Sequence, residues 1–392
     1  MPWKAKSPMD LRKEFIRRLG ERERLSDLCR EYGISRKTGN KFKKRFEELG
    51  AAGLENQSRA PIFIPHKTPP ELEAVLIDER KRHPTWGAKK LKNVLEERLG
   101  SALPSASAIH AVLARHGLVK ARKKRQRYQS TLTTLRQAAA PNEVWCIDYK
   151  GQFRLGDKTY CYPLTMTDQF SRFILCCEGM AAISDEHARE VCHQVFSIHG
   201  LPAVIRSDNG VPFASTGLAG LTRLSVLWLR LGIVPERIRP AHPEENGRHE
   251  RMHRTLKFET ARPSRGNLLQ QQERFDEFVE EFNHHRPHEA LGMKRPAEVH
   301  QSSDRTLPSR IPEAVYPGFD DVLRVNRSGE IYIPGIDKVV LSPTLAGEQV
   351  GVREERDGRW LVRFCEVDLG HAGPSKKTFR PLSASDPDLA SV

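Results

Sequence analysis

Hydrophobic positions recur at helical spacing in the first third of the chain and in short runs separated by turns after it. Leu11, Phe15, Ile16 and Leu19 fall on one helical face. Ser26 is placed to cap a short helix from Asp27 to Tyr32, Gly33-Ile34-Ser35 reads as a tight turn, and Arg36 to Leu49 as a third helix. Helix, short helix, glycine turn and basic helix make a helix-turn-helix pattern over 8–60. Gly39 inside the third helix is a weak point, costing about 1 kcal/mol relative to Ala. The proline-rich stretch Pro61–Pro70 reads as a linker. Apolar positions such as Leu76, Leu91, Leu95 and Val112 then predict a second helical, helix-turn-helix-like module over 70–118.

From residue 141 the pattern changes. Val144–Ile147, Tyr160–Met166, Arg172–Cys177, Ala203–Arg206 and Ile233–Ile238 read as strands. Asp185–His199, Leu218–Leu231, Asn246–Thr260 and Leu268–His284 read as helices. Strands first, then strands alternating with helices, predict a mixed α/β sheet over 141–300. Over 315–383, five short strand candidates lie between turn signals at Ser328-Gly329, Pro334-Gly335 and Asp357-Gly358, the pattern of a small β-barrel.

Charge sharpens this division. Residues 1–140 hold 32 of the 64 Lys and Arg but 15 of the 50 Asp and Glu, a net +17, whereas the remainder is −3. A concentrated excess points to a polyanion-binding arm and a near-neutral body. On the third helix Arg36, Lys37, Asn40, Lys41 and Lys44 crowd the exposed face and are the candidate DNA readers. The linker over 119–140 contains Lys123, Lys124 and Arg125 in a run without acids, suited to tracking phosphates in a salt-dependent way. The seven cysteines form no Cys-x-x-Cys pair, which argues against a disulfide framework or a structural zinc site. With no apolar leader or membrane-length run, a cytoplasmic, nucleoid-associated protein is expected.

Three acids have telling contexts. Asp148 ends Val-Trp-Cys-Ile-Asp, Asp208 follows Val-Ile-Arg-Ser and precedes Asn-Gly, and Glu250 lies on the basic helix with Arg254 and Lys257 at i+4 and i+7. Singly, each has an ordinary reading: a salt-bridged strand end, a turn residue, a helix surface charge. Gathered, they make hard oxygen ligands beside cations, which suits two-metal chemistry on a phosphodiester.

The motifs resemble those of the DDE recombinases, the transposases of bacterial insertion sequences and the retroviral integrases. Trp145-x-x-Asp148 is similar to the first-strand motif, Asp168-x-x-Ser171-Arg172 to a hairpin motif, and Ser207-Asp208-Asn209-Gly210 to the second acid motif. Pro243-x-x-Asn246-Gly247-x-x-Glu250-Arg251 resembles the third, and Phe282-Asn283-x-x-Arg286-Pro287 the signature that closes the core. The resemblance implies a ribonuclease-H-like core, an Asp148–Asp208–Glu250 site holding two Mg²⁺ or Mn²⁺ ions, and DNA contacts from Arg254 and Lys257. It implies a transposase that binds terminal inverted repeats on double-stranded DNA, cleaves and joins strands, and works as a homo-oligomer. Alternatives are a non-catalytic DNA-binding regulator derived from a transposase and a structure-selective nuclease. The 42 positions from Asp208 to Glu250 exceed the family's usual interval, and the excess is expected within 217–224. Glu244 and Glu245 precede the Asn-Gly turn and are expected to point elsewhere.

Overall fold

A computed structural model describes residues 7–57, 67–100, 102–119, 135–240, 242–355, 358–373 and 379–382. The chain divides into two compact units, Met1–Lys67 and Thr68–Val392.

The first unit contains α1 (Pro8–Gly20), α2 (Leu25–Glu31) and α3 (Arg36–Leu49). Ser7 and Asp10 form a capping box on α1, and Ser35 caps α3 by accepting the Thr38 N–H at 3.1 Å. Ser26 does not cap α2: the helix starts at Leu25, Arg24 occupies the cap position without a side-chain bond, and Ser26 lies inside. The earlier start lets Leu25 join Leu28 and Cys29 against Phe15. Gly39 is buried in α3, where an added Cβ would sit 2.5 Å from Cys29 Sγ and 3.2 Å from the Phe15 ring. The close helix crossing therefore requires the glycine that helix propensity disfavours.

The second unit opens with α4 (Pro70–Arg82), α5 (Ala88–Leu99) and α6 (Ala106–Arg115), packed around Leu76, Trp86, Leu91, Leu95 and Ile109. These helices are fastened to the following α/β region. Thr85 Oγ1 donates to Glu259 at 2.5 Å, Lys89 pairs with Glu289 at 2.8 Å, and Arg295 pairs with Glu97 at 2.5 Å.

The α/β region has strands β1 (Val144–Tyr149), β2 (Phe153–Arg154), β3 (Tyr160–Asp168), β4 (Ile174–Met180), β5 (Val204–Ser207) and β6 (Val234–Arg237). The order is β4-β3-β1-β5-β6, with β2 also paired to β3. The β4–β3–β1 pairings are antiparallel and the β1–β5–β6 pairings parallel. Its helices are α7 (Asp185–His199), α8 (Arg223–Arg230), α9 (Gly247–Thr260) and α10 (Leu268–Glu280). Trp145, Ile147, Leu164 and Ile205 pack with α7 and α8 residues Cys192, Phe196, Leu224 and Trp228. Cys161, Ile174 and Cys177 pack with Met252 and Leu256 of α9 and Phe275 and Phe278 of α10.

Two departures from the expected elements have clear causes. The helix expected to reach His284 turns into a π-helical segment, Glu281–His285. There Asn283 accepts the Ile174 N–H and donates to the Ile174 carbonyl, both at 2.9 Å, so its amide stands in for a strand partner at the start of β4. The extra length between Asp208 and Glu250 contains a 3₁₀ turn at Leu218–Gly220 before α8. Leu221, Val226 and Leu229 from this region are buried against the C-terminal strands, so the insertion builds a docking face.

Those strands are β7 (Asp321–Arg324), β8 (Glu330–Ile333), β9 (Asp337–Val340), β10 (Gln349–Glu354), β11 (Trp360–Phe364), β12 (Val367–Ala372) and β13 (Phe379–Pro381). Among the described residues the small β domain consists of a sheet ordered β13-β12-β11-β10-β7 and a β8–β9 hairpin around one core. Sequence pattern missed β12 and β13. Gly370, at φ 153°, interrupts the first, and Pro381 ends the second. No helix of the described residues is long and apolar enough to cross a membrane.

Candidate active site

Strands β1 and β5 run parallel in register from Val144 opposite Val204 to Cys146 opposite Arg206. The same offset of 60 separates Asp148 from Asp208, so the two acids lie at one end of adjacent strands. Asp208, just past β5, accepts the Gly210 N–H at 3.0 Å. Asn209 donates to the Ile238 carbonyl at 2.7 Å, tying this turn to the segment after β6. Glu250 is exposed in the first turn of α9.

Burial pushes the Asp148 carboxyl up to about 7; repulsion from Asp208 adds to this, Lys150 opposes it, and Glu250 adds further repulsion. Asp148 thus feels both other acids. An open groove of about 660 Å³ passes over Asp148 and Glu250 and is lined by Lys150, Arg254, Lys257 and Arg262. Asp208 is not among its lining residues; its link to the pair is the strand register and the electrostatic coupling to Asp148.

A polar seam fixes α9 to the sheet. His249 and His253, one turn apart, are buried beside Met252 and Leu256. Thr165 Oγ1 lies 2.8 Å from His249 Nε2 and 2.6 Å from His253 Nε2, and Thr167 Oγ1 lies 2.7 Å from His249 Nδ1. Thr165 Oγ1 also donates to the Asp148 carbonyl at 3.1 Å. Burial lowers the His249 pKa to about 3 and that of His253 well below its ordinary value. His253 Nδ1 faces Asp148 Oδ2 at 3.5 Å.

Other acids are diverted. Glu245 is buried against Arg239 at 2.6 Å, and Glu244 pairs with His242 at 2.8 Å. Asp168 is fully buried, but its Oδ2 accepts Ser171 N–H at 2.7 Å and Oγ–H at 2.5 Å, while Oδ1 accepts the Asn142 N–H at 3.0 Å. Its role is to hold the β3–β4 turn, where Arg172 adopts φ 66°.

Of the expected DNA contacts, Arg254 and Lys257 are exposed on α9 beside Glu250. Arg36, Lys37, Asn40, Lys41 and Lys44 are all exposed on α3 in the first unit. Lys123, Lys124 and Arg125 lie outside the described residues. Sequence reasoning missed Lys150, Arg262 and the two histidines. Only the histidines left a signal, sharing a buried i, i+3, i+4, i+7 stripe with Met252 and Leu256.

The integrase core domain family matches residues 138–243 and again 231–296, covering β1, β5 and α9 together with their acids. Residues 138–296 of the chain are thus an integrase core domain. A helix-turn-helix family matches 11–62 and a homeodomain-like family 38–113. The chain is thus a DNA-binding transposase of the DDE type, a polynucleotidyl transferase. It is 24% identical over 250 residues, 63% of this chain and 69% of the relative, to an uncharacterized 39.2 kDa protein of insertion element IS476 from Xanthomonas euvesicatoria. It is 26% identical over 272 residues, 65% of this chain and 91% of the relative, to an uncharacterized 31.7 kDa protein of insertion element IS407 from Burkholderia multivorans. Among solved structures, the HTLV-2 integrase catalytic core domain in complex with magnesium aligns over 42% of this integrase-core chain and 100% of its own, at 16% identity and a TM-score of 0.34.

Proposed function

We infer that the protein binds the terminal inverted repeats of a mobile element and cleaves and joins DNA strands at an Asp148–Asp208–Glu250 site. The observation that carries this reading is the groove, which sets Asp148 and Glu250 beside Lys150, Arg254, Lys257 and Arg262. A half-buried carboxyl whose proton affinity is raised by burial and by two neighbouring carboxylates fits a divalent cation, because a bound cation removes the repulsion that otherwise favours protonation. Asp148, Asp208 and Glu250 hold two Mg²⁺ or Mn²⁺ ions. When bound, such ions supply activation of the attacking oxygen and charge stabilisation of the leaving 3′-oxygen in an in-line displacement.

The protein's own residues supply position. Strands β1 and β5, interior in the sheet, carry two carboxylates at their ends, and α9 adds the third. Arg254 and Lys257, one and two turns beyond Glu250, bind the phosphates flanking the scissile bond, and Lys150 and Arg262 extend that cationic lining. On α3, Arg36, Lys37, Asn40, Lys41 and Lys44 read the terminal repeat in the major groove. Two ends must be processed together, so the working form is a homo-oligomer on DNA.

Asp208→Asn in a strand-transfer assay on terminal-repeat oligonucleotides with Mg²⁺ tests this reading. Loss of both nicking and joining with retained DNA binding is expected. Unchanged strand transfer would overturn the site. Binding by wild type without any nicking in Mg²⁺ or Mn²⁺ would favour a regulator, and nicking without joining a nuclease.

A further inference from the structure

The hydrogen bonds around Thr165 leave one imidazole nitrogen aimed at the acidic site. Thr165 Oγ1 has three polar neighbours: the Asp148 carbonyl at 3.1 Å, His249 Nε2 at 2.8 Å and His253 Nε2 at 2.6 Å. A hydroxyl has one proton and two lone pairs, and a carbonyl oxygen only accepts. The Thr165 proton therefore goes to Asp148, and both histidines donate from Nε2. Nε2 of each ring is thereby occupied, and Nδ1 is the nitrogen left to accept or to ligate. For His249 that acceptor is satisfied by Thr167 Oγ1 at 2.7 Å. For His253 it faces another acceptor, Asp148 Oδ2, at 3.5 Å, too far for a hydrogen bond.

A buried carboxylate and an imidazole nitrogen turned toward each other are a fitting pair of ligands for one shared cation. Ligand atoms each about 2.1 Å from one ion lie about 3.0–3.4 Å apart across an octahedral or tetrahedral edge, close to the 3.5 Å observed. The orientation matches a recurrent arrangement of metal-binding histidines, in which the non-ligating N–H is anchored to a protein acceptor. Here Thr165 is the anchor, itself fixed to the main chain of the strand that carries Asp148. Asp148, His249 and His253 do present ligand atoms all within 4.8 Å of one another. His249 already uses both nitrogens, and His253, only 3% exposed, has one to offer.

We propose that His253 Nδ1 is a direct ligand, with Asp148, of a divalent ion, making that position a mixed imidazole–carboxylate site that favours Mn²⁺ over Mg²⁺ more strongly than carboxylates alone. This rests on the reading that Asp148 holds a cation. His253 thereby also locks α9, and Glu250 with it, to the metal as well as to Thr165.

The test is pulsed electron paramagnetic resonance of the full-length protein loaded with Mn²⁺, in wild type, wild type labelled with ¹⁵N-histidine, Asp148→Asn and His253→Gln. The Gln side chain retains a polar group near Thr165 and removes the nitrogen that faces Asp148. Direct nitrogen coupling is expected in wild type, shifting on ¹⁵N-histidine labelling and vanishing in His253→Gln. The Mn²⁺ affinity of that variant is expected to fall on the order of tenfold, with a smaller change for Mg²⁺. Binding that Asp148→Asn weakens, without histidine coupling in wild type, overturns the ligand assignment and leaves the acidic site standing. Coupling that persists in His253→Gln also overturns it. Absence of Mn²⁺ binding, or binding indifferent to Asp148→Asn, overturns the metal reading and this inference together. The labelled wild-type measurement stands even where the variant does not fold.

Discussion

Asp148 and Asp168 lie near opposite ends of the same antiparallel strand pair, and both are held above the ordinary carboxylate range first by burial. Their surroundings then diverge. Asp168 is met by donors: the N–H and hydroxyl of Ser171 and the N–H of Asn142. Asp148 is met by charges of its own sign from Asp208 and Glu250, with Lys150 as the opposing charge, and by the lone pair of His253. A buried acid surrounded by donors is a structural fastener; one surrounded by acceptors is an unfinished cation site. Both acids sit in recognisable motifs, so the arrangement of donors, more than motif membership, separates their roles.

The largest contrast should come from removing each charge. Asp148→Asn is expected to reduce strand cleavage by at least about 10³-fold without lowering the thermal transition. Asp168→Asn is expected to lower stability by about 2–3 kcal/mol, because one face of its amide would present a donor to donors. Parallel cleavage assays and melting curves check this pair; equal stability losses would erase the contrast.

Next in size is the pH dependence of stability without metal. The folded pKa of Asp148, about 7, lies well above that of an ordinary aspartate, so the folded state binds the proton more tightly. Its stabilising effect is full below about pH 4, where both states are protonated, and is lost as pH rises through about 7, by at most about 4 kcal/mol. Melting curves in a chelator should show this fall in wild type, a smaller one in Asp148→Asn, and a smaller one again on wild type saturated with Mn²⁺. A fall of equal depth in all three would remove Asp148 as its source.

The smallest effect is on the fastener. Ser171→Ala removes the hydroxyl that donates to Asp168 at 2.5 Å and should cost about 1–2 kcal/mol. Its metal dependence of cleavage should match wild type when measured below the melting transition; a changed metal requirement would join two sites that the comparison separates.

Much of this was legible in the sequence where local rules and tertiary needs agree. The run Val144–Ile147 ending in Asp148, the run before Asp208, and the i, i+4, i+7 placement of Glu250, Arg254 and Lys257 all read directly from pattern and turn chemistry. Illegible features depend on partners distant in the chain. Gly39 looks like a defect until Cys29 and Phe15 are beside it. His249 and His253 read as polar interruptions of a helix until Thr165 and Thr167 arrive from β3. Asn283 looks like an ordinary helical residue until the π turn brings it to Ile174. The segment leading into α8 reads as extra turn or helix until Leu221, with Val226 and Leu229 of α8, meets the C-terminal sheets.

The central claim is that the Asp148 cluster is completed by a divalent cation and the Asp168 cluster is complete without one. Calorimetric titration of the metal-free full-length protein with Mn²⁺ near neutral pH, in wild type, Asp148→Asn and folded Asp168→Asn, tests it most directly. Binding is expected in wild type, with its loss in Asp148→Asn and its retention in Asp168→Asn. Equal binding by wild type and Asp148→Asn would contradict it.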